Sequence, residues 1–339
     1  MTVLVTGASG LLGGAVARAL VARGDDVRTL QRRPSGVEGA ADVLGTVTDP
    51  DVVARAVDGV GAVVHLAAKV SLAGDPAEFR AVNVDGARTL LDAAERAGVA
   101  RFVQVSSPSV AHLGTSLVGA PATPADPERA RGEYARTKAA AEVLALGRDG
   151  GGAGRGSSAP RVVAVRPHIV WGPGDTQLVE RVVDRARRGR LPLLGHGAAL
   201  IDTLYVDNAA DGILAALDRL DDAPDVVGGR AYVLTNGEPR TVADLLAGIC
   251  RAAGVTPPAW RVPAGLARSA GGLVEALWRV RPGADEPPMT RFLAEQLSTA
   301  HWFDQRATRR DLRWTPAVDV DEGLRRLAAH YGGSAPSPR

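Results

Sequence analysis

The chain of 339 residues contains one cysteine, Cys250, so it cannot form an internal disulfide. It has no run of about 18 uninterrupted apolar residues, which excludes a transmembrane helix. The N-terminus enters a strand pattern directly, without the basic segment and cleavage site of a secretory signal. The single cysteine and the N-terminal pattern together predict a cytoplasmic protein.

An excess of charge of one sign is also missing, because 40 basic residues stand against 38 acidic ones, a formal net charge of +2. This balance does not create the field that would hold a polyanion, so nucleic acid is not expected as a partner. The histidines lack further ligands at metal-binding spacing, and no metal site is expected. Lysine is scarce, since Lys69 and Lys138 are the only two.

Short β-branched apolar runs alternate with Ala-, Leu- and Arg-rich stretches of helical spacing up to about residue 166. The alternation predicts an α/β fold with a doubly wound parallel sheet of the Rossmann type. We predict that residues 1–170 bind a dinucleotide, with 201–235 contributing, and that 171–335 form mainly a smaller, interleaved C-terminal α/β substrate domain. The predicted strands are Thr2–Thr6, Val27–Leu30, Asp42–Leu44, Ala62–His65, Phe102–Ser106 and Val162–Arg166, and the predicted helices among them are Leu11–Arg23, Pro50–Val57, Ala77–Ala97 and Arg129–Leu146.

A glycine-rich turn follows the first predicted strand and leads into a helix. Gly7 would permit the tight turn, Gly10 would let the backbone approach a pyrophosphate, and Gly13 would allow close packing of helix and strand. The helix N-terminus supplies unpaired N–H groups for an anion. The turn predicts dinucleotide binding rather than a merely tight connection. The residues expected at the cofactor are Gly7, Ser9, Gly10, Leu11, Leu12 and Gly13.

The second predicted strand is followed by Arg32 and Arg33, where an NAD-binding protein would carry a carboxylate for the ribose 2′-hydroxyl. Two guanidinium groups suit a 2′-phosphate, which a carboxylate would repel. We therefore expect NADP(H) to be preferred over NAD(H). Alternatively, the two arginines are a solvated loop.

Tyr134 and Lys138 lie four residues apart in a predicted helix, which places the phenol and the ammonium on one face. The cation is expected to lower the pKa of the phenol and prepare it for general acid catalysis. Ser107 follows the fifth predicted strand, where a hydroxyl faces the ligand crevice and can bond a substrate carbonyl. Alternatively, Lys138 makes a surface ion pair and the Ser-Ser-Pro sequence is an ordinary turn.

Further motifs accompany these residues in a specific order along the chain. Together with the glycine-rich turn and the Tyr134 and Lys138 pair they resemble the extended short-chain dehydrogenase/reductases over nearly the whole length. Within that superfamily the chain is similar to the 3β-hydroxysteroid-dehydrogenase-like branch, including bacterial reductases that act on 2-alkyl-3-oxo acids in long-chain olefin biosynthesis. The further motifs are His65-Leu66-Ala67-Ala68, Asn83-Val84-Asp85-Gly86, Val105-Ser106-Ser107, Arg166–Asp175, Trp171–Val179, Asn236–Pro239, and Glu286–Leu297 with His301-Trp302.

The resemblance implies a role for each matching position. Tyr134 is the implied general acid, Lys138 the residue on the nicotinamide ribose, Ser107 the group on the substrate oxygen, and Asn83 a structural support. In place of the Gly-Asp-Leu usual in the family, this chain has a threonine that could partly replace the adenine-binding aspartate. The further residues implied at the cofactor are Thr46, Val47, Ala67, Ala68, Pro167, His168 and Ile169.

The expected reaction is NADP(H)-dependent reduction of a 2-alkyl-3-oxoalkanoic acid to the 3-hydroxy acid. The alternatives are a sterol dehydrogenase, a nucleotide-sugar epimerase or dehydratase, and a non-catalytic dinucleotide sensor. An apolar stripe from Leu266 to Val280 is expected to pack on the substrate domain or, alternatively, to form a lid that admits a lipid-like substrate. The partners considered besides the substrate are a second copy of the chain and other enzymes of the same pathway.

Overall fold

The computed structural model describes residues 1–71, 74–111, 115–151, 159–263, 265–266, 269 and 298–332. Strand formation follows the β-branched apolar runs of the sequence. The strands are β1 (Thr2–Thr6), β2 (Asp26–Gln31), β3 (Ala40–Leu44), β4 (Ala62–His65), β5 (Arg101–Val105), β6 (Leu117–Ala120), β7 (Arg161–Pro167), β8 (Val170–Trp171), β9 (Leu193–Leu194), β10 (Leu200–Ile201), β11 (Leu204–Tyr205), β12 (Ala231–Leu234), β13 (Arg240–Thr241), β14 (Arg261–Val262) and β15 (His301–Phe303).

Helices alternate with the strands in the first half of the chain and dominate the second half. Several begin at side-chain caps; Asp49, for example, accepts hydrogen bonds from the backbone at the start of the second helix. The helices are α1 (Leu11–Ala22), α2 (Pro50–Val57), α3 (Pro76–Arg80), α4 (Gly86–Arg96), α5 (Glu133–Leu146), α6 (Val179–Arg187), α7 (Val206–Asp222), α8 (Pro224–Val227), α9 (Val242–Ala252), α10 (Arg306–Leu312) and α11 (Val320–His330).

Seven parallel strands form the central sheet, in the order β12-β7-β5-β4-β1-β2-β3. The first six of them along the chain follow the 3-2-1-4-5-6 order of a Rossmann sheet. Alternate residues of β1 face opposite sides: Val3 and Val5 pack in the core beneath α1 and α7, and Leu4 packs in the core beneath α2 and α4. The predicted doubly wound parallel sheet is confirmed.

A smaller four-stranded sheet, in the order β13-β10-β15-β6, joins distant parts of the chain. Its strand β6 lies between β5 and α5 in sequence but pairs in parallel with β15, Leu117 opposite His301. The segment between Ser107 and Tyr134 is thereby attached to C-terminal residues. The central sheet in turn takes its last strand, β12, from the segment 201–235. The two parts of the chain are interleaved, and the domain boundaries themselves stay a prediction.

Two of the predicted helices differ from their expected limits by more than one residue. The stretch expected as one helix, Ala77–Ala97, is interrupted by a π-helical turn at Ala81–Asp85, which the apolar spacing cannot reveal. The helix expected to start at Arg129 starts at Glu133, because Gly132 has φ of +86° and cannot continue a helix. Both changes fall on segments that carry predicted site residues.

Part of the predicted apolar stripe can be compared with the structure. Leu266 is 65% exposed, whereas Ala270, Leu273, Leu277 and Val280 lie outside the described residues. The motif Glu286–Leu297 lies outside them as well. Within the described ranges, none of the helices could span a lipid bilayer.

Candidate active site

The carboxyl ends of the parallel strands meet along one edge of the central sheet, the usual ligand edge of this topology. The glycine-rich turn follows β1, Ala67 follows β4, Ser107 follows β5, and His168 follows β7. Because these strands are neighbours or near neighbours, four separate sequence motifs reach the same edge. The structure thus places these predicted site residues at the carboxyl end of the sheet.

The glycine-rich turn has the geometry required of a phosphate-binding turn. Gly7 has φ of +77°, and a Cβ atom on Gly13 would lie 2.3 Å from the Gly7 carbonyl oxygen. Helix α1 begins at Leu11 with Gly10 as its N-cap, and no side chain caps the helix. The first N–H groups of α1 are therefore left for a ligand, so these residues fit the pyrophosphate of a dinucleotide.

Thr6 connects the β1 turn with the β4 turn, a role that the sequence analysis missed. Its hydroxyl accepts hydrogen bonds from the backbone N–H groups of Leu66 at 3.1 Å and Ala67 at 3.0 Å. The same hydroxyl lies 2.8 Å from Nδ1 of His65. Burial, together with the charge of Lys138, lowers the pKa of His65 to about 3, so the ring is neutral and can accept the Thr6 proton.

Tyr134 and Ser107 are brought together at the sheet edge. The Ser107 hydroxyl is close enough to the phenol of Tyr134 to lower its pKa, and it accepts a hydrogen bond from the Ser109 hydroxyl at 2.9 Å. Desolvation, partly opposed by the Ser107 hydroxyl, raises the pKa of Tyr134 to about 12. The phenol is therefore protonated at neutral pH, as a proton donor must be.

The expectation that Lys138 lowers the pKa of Tyr134 below its usual value is wrong in this structure. The Lys138 ammonium is buried and donates a hydrogen bond of 2.5 Å to the carbonyl oxygen of Val105. For Tyr134, desolvation is the largest effect on the pKa of the phenol. Burial likewise lowers the pKa of Lys138 to about 8, with the carboxylate of Glu142 acting in the opposite direction.

Asn83 lies on the π-helical turn and is buried. Its Oδ1 accepts a hydrogen bond from the Lys69 N–H at 2.7 Å, and its Nδ2 donates to the Lys69 carbonyl at 3.2 Å and to the Thr137 hydroxyl at 3.0 Å. It thereby joins the loop after β4 to the helix that carries Tyr134. This geometry agrees with a supporting role, which stays a prediction.

The predicted nicotinamide end follows β7. The His168 ring nitrogen Nδ1 lies 2.6 Å from the Asp202 carbonyl oxygen, and the ring packs edge-on against Phe303. Ile169 has φ of +47°, which is rare and strained for a β-branched residue. Its carbonyl accepts a hydrogen bond of 3.2 Å from Leu204. The strained backbone of Ile169 therefore lies where Pro167, His168 and Ile169 were expected to line the cofactor.

The predicted ribose and adenine ends are more open. Arg32 and Arg33 are exposed after β2, whereas the Gln31 side chain is buried and donates to Thr29 and Asp42. The Val47 side chain is buried in the core, so a cofactor contact there would have to use its backbone. The other predicted positions are less buried: Ser9 is exposed, and Leu11, Leu12, Thr46 and Ala68 are half-buried.

Glu142 and Arg166 form a buried ion pair beside these residues, and neither was predicted as part of the site. Each side chain is 1% exposed, and two guanidinium nitrogens of Arg166 face the two carboxylate oxygens of Glu142. The spacing of four residues from Lys138 to Glu142 could have identified the carboxylate. In the part of the chain that the structure describes, no three His, Cys, Asp or Glu side chains group to hold a metal ion.

Comparison with known proteins assigns this arrangement to a class. The family described as "NAD dependent epimerase/dehydratase family" matches residues 3–234. The chain belongs to this family. It is an NAD(P)-dependent oxidoreductase of the extended short-chain dehydrogenase/reductase type, as the motifs predicted.

Individual relatives are similar over nearly the whole chain. The 2-alkyl-3-oxoalkanoate reductase of Stenotrophomonas maltophilia is 39% identical over 336 residues, covering 97% of this chain and 99% of that protein. A 3β-hydroxysteroid dehydrogenase/Δ5→4-isomerase of Mycobacterium tuberculosis is 32% identical over 344 residues, covering 97% and 90%. A solved short-chain dehydrogenase/reductase superfamily protein from Agrobacterium tumefaciens, with bound NAD, superposes with a TM-score of 0.73 at 25% identity, covering 97% of each chain.

Proposed function

We propose that the protein reduces a 2-alkyl-3-oxoalkanoic acid to the 2-alkyl-3-hydroxyalkanoic acid with NADPH. The observation that carries the proposal is that Ser107 and Tyr134, two hydroxyls close enough for one to act on the other, lie at the end of the sheet where the glycine-rich turn also lies. The similarity to the named oxoalkanoate reductase supports the substrate class.

The two hydroxyls suit a ketone oxygen. Ser107 and Tyr134 can both donate to a carbonyl oxygen and so orient and polarise it. When bound, NADPH supplies the hydride that reduces the carbonyl carbon. Tyr134 then gives its phenolic proton to the oxygen, and Lys138 would hold the nicotinamide ribose, the role that the resemblance implies for it. Asn83 and the Val105 carbonyl hold the helix and the ammonium in place for this transfer.

NADPH is the proposed cofactor because of the residues at the end of β2. Arg32 and Arg33 are exposed there and can form charge-assisted hydrogen bonds to a 2′-phosphate. The residues of the β1 turn would hold the pyrophosphate, and those after β4 and β7 would line the cleft. We further propose that the enzyme works in the cytoplasm, which the single cysteine supports.

The test is a chain-length series. Since β-keto acids lose carbon dioxide in solution, the assay uses 2-alkyl-3-hydroxyalkanoic acids with NADP⁺ and follows NADPH absorbance. Each additional buried methylene contributes about 0.8 kcal/mol, so kcat/KM should rise about fourfold per methylene until the pocket is full. The related steroid dehydrogenase makes a 3β-hydroxysteroid the competing substrate, and a nucleotide sugar is the polar control. Activity confined to either of these would contradict the proposal.

A further inference from the structure

The ion pair between Glu142 and Arg166 is unusual for its depth. Both side chains are 1% exposed, and Arg166 Nε donates to a Glu142 carboxylate oxygen at 2.9 Å. A third guanidinium nitrogen, Nη1, donates to the Thr123 carbonyl at 2.7 Å, so each end of the pair is satisfied. Buried pairs of this kind add little to stability compared with apolar side chains of the same volume. A role other than holding the core together is therefore worth testing.

The position of Glu142 on α5 supplies such a role. Tyr134, Lys138 and Glu142 follow one another at steps of four residues, so they form one stripe along the helix. Lys138 is 4% exposed, and its ammonium donates to the Val105 carbonyl. Burial of an ammonium favours its neutral form, and Glu142 is the negative charge that opposes this effect.

The position of Arg166 links the same helix to the cofactor cleft. Arg166 lies on β7 immediately before Pro167 and His168, the residues expected at the nicotinamide end. Thr123, which its guanidinium also bonds, belongs to the segment that leads into α5. The ion pair thus connects α5, which carries Tyr134, with the carboxyl end of β7.

We propose that Glu142, held by Arg166, is a positioning residue that keeps the buried Lys138 charged and fixes α5 against β7 for proton transfer from Tyr134. The proposal rests on the proposed function only for its catalytic consequence. The charged and titratable groups that face Lys138 are Glu142 on its own helix and His65 at the end of β4, with Arg166 of β7 beyond Glu142. Because His65 is neutral, Glu142 is the negative charge that favours the charged form of Lys138.

The scarcity of lysine makes the experiment direct. Labelling the lysine side chains with ¹³C at Cε gives two signals, from Lys69 and Lys138, and Lys69→Arg assigns them. An NMR titration then follows the Lys138 ammonium in the wild type, in Glu142→Gln and in the double variant Glu142→Gln/Arg166→Met. The Lys69 signal, from a side chain paired with Glu78, is the internal reference.

Glu142→Gln should lower the titration midpoint of Lys138 by at least about one pH unit, because it removes the opposing charge and leaves Arg166 unpaired. The double variant removes both charges and should fall between the wild type and the single variant. It also serves if the single variant folds poorly, since neutral replacement of a buried pair is tolerated. The pH above which ketone reduction is lost should follow the same ranking: highest in the wild type, lower in the double variant and lowest in Glu142→Gln.

An unchanged Lys138 midpoint in folded Glu142→Gln or in the double variant would overturn the proposal and leave the pair a structural contact. The NMR result does not depend on which substrate is reduced. If the wild type shows no activity with oxo or hydroxy acids while the Lys138 shift occurs, the proposed function fails and the inference about Glu142 stands.

Discussion

Gly10 and Gly13 occupy the same turn but should fail in different ways when each is replaced by alanine. A Cβ on Gly13 would lie 2.3 Å from the Gly7 carbonyl oxygen, and real Cβ contacts essentially never fall below 3.0 Å, so backbone must move by about 0.7 Å. Such overpacking costs about 1–3 kcal/mol, offset by up to about 1 kcal/mol of helix propensity. The free energy of unfolding should therefore fall by roughly 1–2 kcal/mol in Gly13→Ala.

A Cβ on Gly10 would meet the same oxygen at 3.4 Å, an ordinary contact, and the backbone there is extended with φ of −93°. Gly10→Ala should accordingly change stability by less than about 1 kcal/mol. Its added methyl group faces the expected pyrophosphate, so the Kd for NADPH should rise at least about tenfold. Urea unfolding and quenching of tryptophan fluorescence measure the two quantities. Unchanged NADPH affinity in Gly10→Ala, or unchanged stability in Gly13→Ala, would refute the reasoning.

Three further predictions follow from charges in the structure. Arg32→Ala/Arg33→Ala should raise the Kd for NADPH about 10-fold or more and leave that for NADH within about threefold, and equal loss of both would remove the argument. Burial raises the pKa of Asp202 to about 6, so the stability that protonated Asp202 contributes is lost as the pH rises through that value. At pH 8 the Asp202→Asn variant should therefore be as stable as the wild type or up to about 3 kcal/mol more stable. His65, with its pKa lowered to about 3, lowers stability by up to about 1.4 kcal/mol per unit as pH falls below about 6.5, and His65→Asn should flatten that slope in urea titrations.

The fold was accessible from the sequence because hydrophobic spacing is a local property. β1 and β4 have the predicted limits, and the other predicted strands of the sheet differ by at most two residues at either end. The glycine-rich turn was equally accessible, since the needs of Gly7 and Gly13 are set by backbone geometry within one βα unit. A sequence motif predicts the structure reliably when the contacts that determine it lie within the same segment.

The rest of the site depends on contacts between segments far apart in sequence. The supporting role of Asn83 depends on its hydrogen bonds to Lys69 and Thr137, residues that are distant in sequence. The pKa of Tyr134 depends on its burial, and the spacing to Lys138 predicted the wrong direction. From the sequence Arg166 is simply the last residue of a predicted strand. Its ion pair with Glu142 could not be predicted, because the two residues are 24 positions apart.

The most direct test of the proposed chemistry is turnover by Tyr134→Phe, which keeps the ring and removes the proton. With NADPH and a 2-alkyl-3-oxo acid generated in the assay, kcat should fall roughly 10²–10⁴-fold, the usual contribution of general acid catalysis. The Kd for NADPH, measured on the same preparation, should stay within about threefold of the wild type, because the phenol is expected to act on the substrate oxygen. Near-normal turnover by Tyr134→Phe with NADPH bound would contradict Tyr134 as the proton donor.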